Sequence, residues 1–224
     1  MSRTRIAQLA GAFAAALAFA ASASPALACA RGYSYAGLYA PSPALGVAAS
    51  LTMLQPPAVA NGHVAAWVGV GGPGLGPSGT DEWLQVGLAS FAGSPDARLY
   101  YELALPGQAP SYVELASGIR PGRVVRVGLL ELPFAADTWM VVSPAGLFGP
   151  FYLPQSHGVW APIATAESWT PGGSPCNRYS YRFGDVQLAR RGGSWKRLRE
   201  AQKLQDPGAH LHRYSPSTFS ARAA

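Results

Sequence analysis

Residues 83–91, Trp-Leu-Gln-Val-Gly-Leu-Ala-Ser-Phe, alternate along their length. Leu84, Val86 and Leu88 fall on one face of an extended chain, and Trp83 and Gln85 on the other. Side chains of a strand point to opposite faces in turn, so this is the pattern of a strand with one face in a core. The next segment, Arg98–Leu105 (RLYYELAL), repeats it. Leu99, Tyr101, Leu103 and Leu105 share a face, and Tyr100 and Glu102 lie opposite. Between the two runs stands Gly93-Ser94-Pro95-Asp96, a turn by composition.

The same rhythm extends both ways. His63–Val70 (HVAAWVGV) precedes and ends in Gly71-Gly72-Pro73-Gly74. Ser111–Ala116, Arg123–Leu132, Thr138–Ser143, Gly149–Leu153, Trp160–Trp169, Tyr179–Leu188 and Ser217–Ser220 follow, with Gly/Pro breaks between most of them. The 224 residues include 26 glycines and 20 prolines, about one residue in five, with only 12% charged. Six Trp, ten Tyr and eight Phe supply the apolar surface a core needs. Short strands at this spacing predict an all-β chain, an antiparallel β-sandwich of two bent sheets of the concanavalin or jelly-roll kind. The one helical candidate is Ser194–Leu204, where Trp195, Leu198, Ala201 and Leu204 recur at three-residue spacing.

Arg3 and Arg5, an apolar run from Ala10 to Ala21, and Ala26-Leu27-Ala28 read as a secretory signal peptide cut near residues 28–30. Export or a place in the cell envelope follows. A lipid anchor on Cys29 is the weaker alternative, because Ala26 stands where Leu is usual. The apolar run is too short for a membrane span, and prolines at 41, 43, 56, 57, 73 and 77 break the long uncharged stretch 32–80. Residues 31–61 read as a Pro-broken segment, either a pro-segment or an edge strand around Leu51–Leu54. The sandwich is expected over 62–224.

The chain carries net charge +6, unevenly placed. Residues 178–224 hold ten basic and three acidic side chains. In an exported protein this reads as a solvated basic face rather than a nucleic-acid surface. Cys29 and Cys176 are the only cysteines, and export permits a disulfide between them if the cut leaves Cys29 in place. The four histidines share no ligand spacing with cysteines or carboxylates, so no metal and no cofactor is expected. His210 and His212 read as a surface pair, and His157 as part of a loop cap.

In Trp160–Trp169, Thr165, Glu167 and Trp169 share a face opposite Ala164 and Ala166. Three strands thus each present one polar group beside aromatic rings: Gln85, Glu102 and Glu167. If the aliphatic faces fill the core, the other face lines a groove. An aromatic groove with sparse acids also suits sugars, and composition does not choose between ligands.

These segments, in order, resemble the glutamic peptidases, also called eqolisins. The resemblance is carried by Ala66-Trp67-Val68-Gly69-Val70, Leu84-Gln85-Val86-Gly87, Tyr100-Tyr101-Glu102-Leu103 with Pro106, Ile119-Arg120-Pro121-Gly122, Ala166-Glu167-Ser168-Trp169 and Phe183-Gly184-Asp185-Val186. It covers roughly residues 63–220. Departures are Val86 for a Thr, Tyr100 and Leu103 for two Trp, Arg123 for an Asp, and an early Pro171. The resemblance implies a bent β-sandwich with a catalytic glutamine and glutamate, which fall on Gln85 and Glu167. It implies a supporting acid at Glu102 and a cleft-floor tryptophan at Trp67, with Trp83, Tyr100 and Trp169 lining the site. The implied activity is cofactor-free acid endopeptidase action on polypeptides; the chain is expected to be a monomer. The residues alone leave a second class open: a non-catalytic sandwich binding glycans or peptides through Trp67, Trp83 and Tyr100. A structural cell-surface protein is a third.

Overall fold

The computed structural model describes residues 29–173 and 175–223. The expected signal peptide lies outside them. The described chain forms fifteen strands and no α-helix: β1 (Gly32–Tyr39), β2 (Gly46–Met53), β3 (His63–Gly72), β4 (Glu82–Phe91), β5 (Ala97–Ala104), β6 (Ser111–Ile119), β7 (Val124–Glu131), β8 (Thr138–Ser143), β9 (Gly146–Tyr152), β10 (Ile163–Thr170), β11 (Tyr179–Ala189), β12 (Trp195–Arg197), β13 (Gln202–Gln205), β14 (Ala209–Ser215) and β15 (Thr218–Ala223). They build two antiparallel sheets. One has the order β13-β1-β10-β3-β4-β5-β6, the other β14-β15-β11-β2-β7-β8-β9, with β12 beside β11. This is the all-β sandwich that the alternation predicts.

The core lies between the sheets. Leu84, Val86 and Leu88 of β4 are fully buried there, beside Val64, Ala66, Val68 and Val70 of β3. The second sheet meets them with Val47, Ala49, Leu51 and Met53 of β2, Val125, Val127 and Leu129 of β7, and Tyr179, Tyr181 and Phe183 of β11. Phe183 stacks on Phe219 at 4.5 Å. Each such large apolar side chain contributes about 1.5–3 kcal/mol relative to exposure.

Two expectations are corrected. Ser194–Leu204 is not a helix. Leu198 is buried, but Trp195 is 38% exposed. β12 pairs with β11 in one sheet and β13 with β1 in the other, so the segment crosses between sheets. The three-residue spacing marks that crossing and not a helical face. Residues 31–61 are not an edge strand either. They supply β1, between β13 and β10, and β2, between β11 and β7. The sandwich therefore begins at Gly32. Prolines 41, 43, 56 and 57 all fall in connections, which leaves β1 and β2 unbroken. Also missed was β14, whose His210 and His212 are exposed.

Cys29 and Cys176 form a disulfide with Cα atoms 5.5 Å apart, tying the start of β1 to the β10–β11 connection. Among the described residues no helix is long and apolar enough to cross a membrane.

Candidate active site

The outer face of the seven-stranded sheet carries the groove, and register places each group on it. Glu167 stands between Tyr35 of β1 and Ala65 of β3. Thr165 stands opposite Trp67, and Trp67 opposite Gly87. Gly69 stands opposite Gln85, and Gln85 opposite Glu102. Gln85 and Glu167 are thus on one face, two strands apart, their rows four residues apart along β3, at Ala65 and Gly69. Trp67 occupies the row between them.

A groove of about 350 Å³ is lined by Tyr35, His63, Trp67, Trp83, Gln85, Glu102 and Glu167, among others. Trp67 with Ala65, Ala89 and Tyr100 forms a small buried apolar cluster beneath it. Glycine makes room for the indole. A Cβ on Gly69 would lie 2.8 Å from the Trp67 ring, and one on Gly87 2.1 Å from the Ala66 carbonyl oxygen. The Trp67 Nε1–H is buried and meets no acceptor among the described residues.

Each polar group has a defined partner. The Gln85 amide donates to the Tyr100 hydroxyl at 3.2 Å, and Tyr100 stacks on Tyr112 at 4.9 Å. The Trp83 Nε1–H donates to Glu102 Oε1 at 2.9 Å. His63 Nε2 lies 3.3 Å from Glu167 Oε1. Gln85 and Glu167 are nearly buried, at 7% and 5% exposure. Burial pushes the Glu102 carboxyl up; the Trp83 hydrogen bond pulls it down, Glu167 pushes it up, and His63 pulls it down. Burial, then the charges of Glu167 and Glu102, raise the Tyr100 hydroxyl.

All seven groove residues named from sequence lie on this face, and all but Tyr100 and Trp169 line the groove itself. Tyr100 lies under it, and Trp169 flanks it one row beyond Glu167. Sequence reasoning missed His63, Tyr33 and Tyr35. His63 is read there only as the first residue of a strand; its alternation with Ala65 and Trp67 was the available signal. It also missed Asn177. That buried amide donates to the carbonyls of Asn61 and Trp169 and to the Ser168 hydroxyl, and accepts from the backbone N–H of Ala60. It clamps the entry to β3 against the end of β10. Elsewhere His157 Nδ1 meets Glu131 at 2.9 Å, inside a loop cap. Among the described residues no group of three or more His, Cys, Asp or Glu is placed to hold a metal.

Solved structures of similar fold include glutamic peptidases. Scytalidoglutamic peptidase, solved with a transition-state analogue inhibitor, matches with TM-score 0.56 and 16% identity over 87% of this chain and 98% of that one. The same enzyme with a peptide-based transition-state analogue gives 0.54 and 18% over the same shares. The chain has the glutamic peptidase fold. A third structure with this fold, SCP-B of the eqolisin family in complex with the tripeptide Ala-Ile-His, gives 0.53 and 17%, again over 87% and 98%. No family model and no curated protein sequence matches the chain.

Proposed function

We propose that this protein is a secreted endopeptidase that hydrolyses peptide bonds on the acid side of neutrality, with Glu167 and Gln85 as its catalytic pair. The observation that carries the reading is that these two side chains line one groove, on the outer face of a sheet with this fold. The peptide-like ligands of the solved relatives support a polypeptide substrate.

The chemistry needs no cofactor. Glu167 takes a proton from a water as that water's oxygen bonds to the substrate carbonyl carbon. The Gln85 amide donates to the oxyanion that forms. Glu167 then returns the proton to the leaving nitrogen, the C–N bond breaks, and an acid and an amine leave. Trp67, in the row between, is the floor over which the scissile bond lies. Glu102, held by Trp83, supports the groove beside Gln85. We read the chain as a monomer, exported through the segment ahead of Cys29. A cysteine held in a disulfide has no thiol for a lipid, which favours a free secreted form.

The test is cleavage of a denatured protein by purified wild type, Glu167→Gln and Gln85→Ala, each checked for fold by circular dichroism. Both variants are expected to lose about 100-fold or more in kcat. Folded variants that cleave as the wild type does would overturn the assignment.

A second reading is favoured by the ring row Tyr33, Trp169, His63 and Phe91, which crosses four strands in register at the edge of the groove, with Tyr33 and His63 lining it. Such a platform suits stacking of sugars or peptide rings. A folded wild type that binds ligand and cleaves nothing would establish it.

A further inference from the structure

We infer that His63 is a positioning residue for Glu167, holding one oxygen of its carboxylate so that the other faces the substrate water. The inference rests on Glu167 being the base.

A carboxylate only accepts hydrogen bonds, so at 3.3 Å the His63 Nε2 donates its N–H to Glu167 Oε1. The contact is shielded, with the two side chains 24% and 7% exposed. The imidazole is itself fixed from three sides. It stacks on Trp169 with the ring planes 16° apart, at 6.0 Å between centroids. Tyr33 meets it edge-on at 6.1 Å, and Phe91 lies tilted at 6.0 Å. The backbone beneath is held as well: Asn177 bonds the Asn61 and Trp169 carbonyls on either side of the row. A ring so boxed presents its Nε2 in one direction. That is what a group acting through a catalytic carboxylate requires, because a reacting atom misplaced by an ångström costs rate and not affinity.

Sequence and register add a point. His63 and Glu167 lie on neighbouring strands, one row out of register, since Glu167 pairs with Ala65 and His63 with Trp169. Ala65 has no side chain beyond Cβ, which leaves the diagonal from His63 to Glu167 open.

The test is steady-state kinetics of three His63 variants beside wild type and Glu167→Gln. His63→Ala is expected to lower kcat about 10-fold with KM within about twofold, the signature of an interaction that matters in the transition state. His63→Phe keeps the stack on Trp169 without the donor and is expected to stay as low. His63→Gln restores an N–H donor and is expected to recover most of the loss. A purely structural role would make His63→Phe the better substitute. A wild-type kcat in His63→Ala, or in His63→Phe, overturns the inference while leaving Glu167 in place. A wild type that cleaves nothing overturns the reading of Glu167 as base, and this inference with it. Nitrogen-15 shifts of the His63 imidazole give a readout free of activity. They should change on Glu167→Gln, and unchanged shifts overturn the contact.

Discussion

Glu102 sits where burial and its neighbours pull its carboxyl in opposite directions. Burial is the largest influence and raises it, against the Trp83 indole and His63, which lower it. A carboxyl so raised keeps its proton to higher pH than a free one, and in that form a glutamine resembles it in shape and charge. Glu102→Gln is therefore expected to match wild type in kcat/KM below the ordinary carboxyl value of 4.5 and to diverge as pH rises above it. Pairwise pH profiles check this; a constant ratio at every pH would contradict it. That Gln85, Glu102 and Glu167 share one face was legible because a period of two assigns faces without any knowledge of the fold. The partners were not. Tyr100 for Gln85 and His63 for Glu167 depend on strand order and register, which alternation along one strand does not encode.

The β3–β4 connection shows a different balance at the scale of elements. Gly71, Gly72 and Pro73 line the groove, and the loop beyond them folds back over Glu82. Glu82 falls on the core face of β4, fully buried, and neither carboxylate oxygen meets a partner among the described residues. Burial and then the charge of Asp137 push it up to about 7. The folded state thus holds the proton more tightly than the unfolded chain does. Its stabilising contribution is complete below the ordinary carboxyl value of 4.5 and is lost as pH rises through about 7. Glu82→Gln should raise Tm at about pH 8 and leave it nearly unchanged at about pH 4. Thermal melts at both values decide it, and an equal shift at both would be wrong for this account. Most strands were readable from period and Gly/Pro punctuation. β1 was not, because no charged residue marks its solvent face and Pro41 and Pro43 follow it closely. β13 was not, because a four-residue strand has too few positions to show a period.

The whole molecule is held by two sheets and one covalent tie. The disulfide spans 147 residues of sequence and joins the start of the described chain to the connection ahead of Asn177. Removing a bridge of this kind costs about 2–5 kcal/mol in small secreted domains. Cys176→Ser is expected to melt well below oxidised wild type and close to wild type in reductant. Equal melting of the variant and the oxidised protein would show that the tie contributes nothing. The sequence showed that the two cysteines were available to each other under export; only the fold brings their Cα atoms to 5.5 Å. Charge is distributed by strand as well. The basic C-terminal residues fall mainly on β11–β15 and their connections.

The most direct measurement is peptide hydrolysis in oxygen-18 water. A denatured protein substrate is incubated with purified wild type at about pH 3 to 5, with Glu167→Gln in parallel, and the products are read by mass spectrometry. The account predicts new peptide termini carrying one oxygen-18 atom with wild type, and intact substrate with the variant. Intact substrate with a folded wild type, or equal cleavage by both proteins, would contradict it.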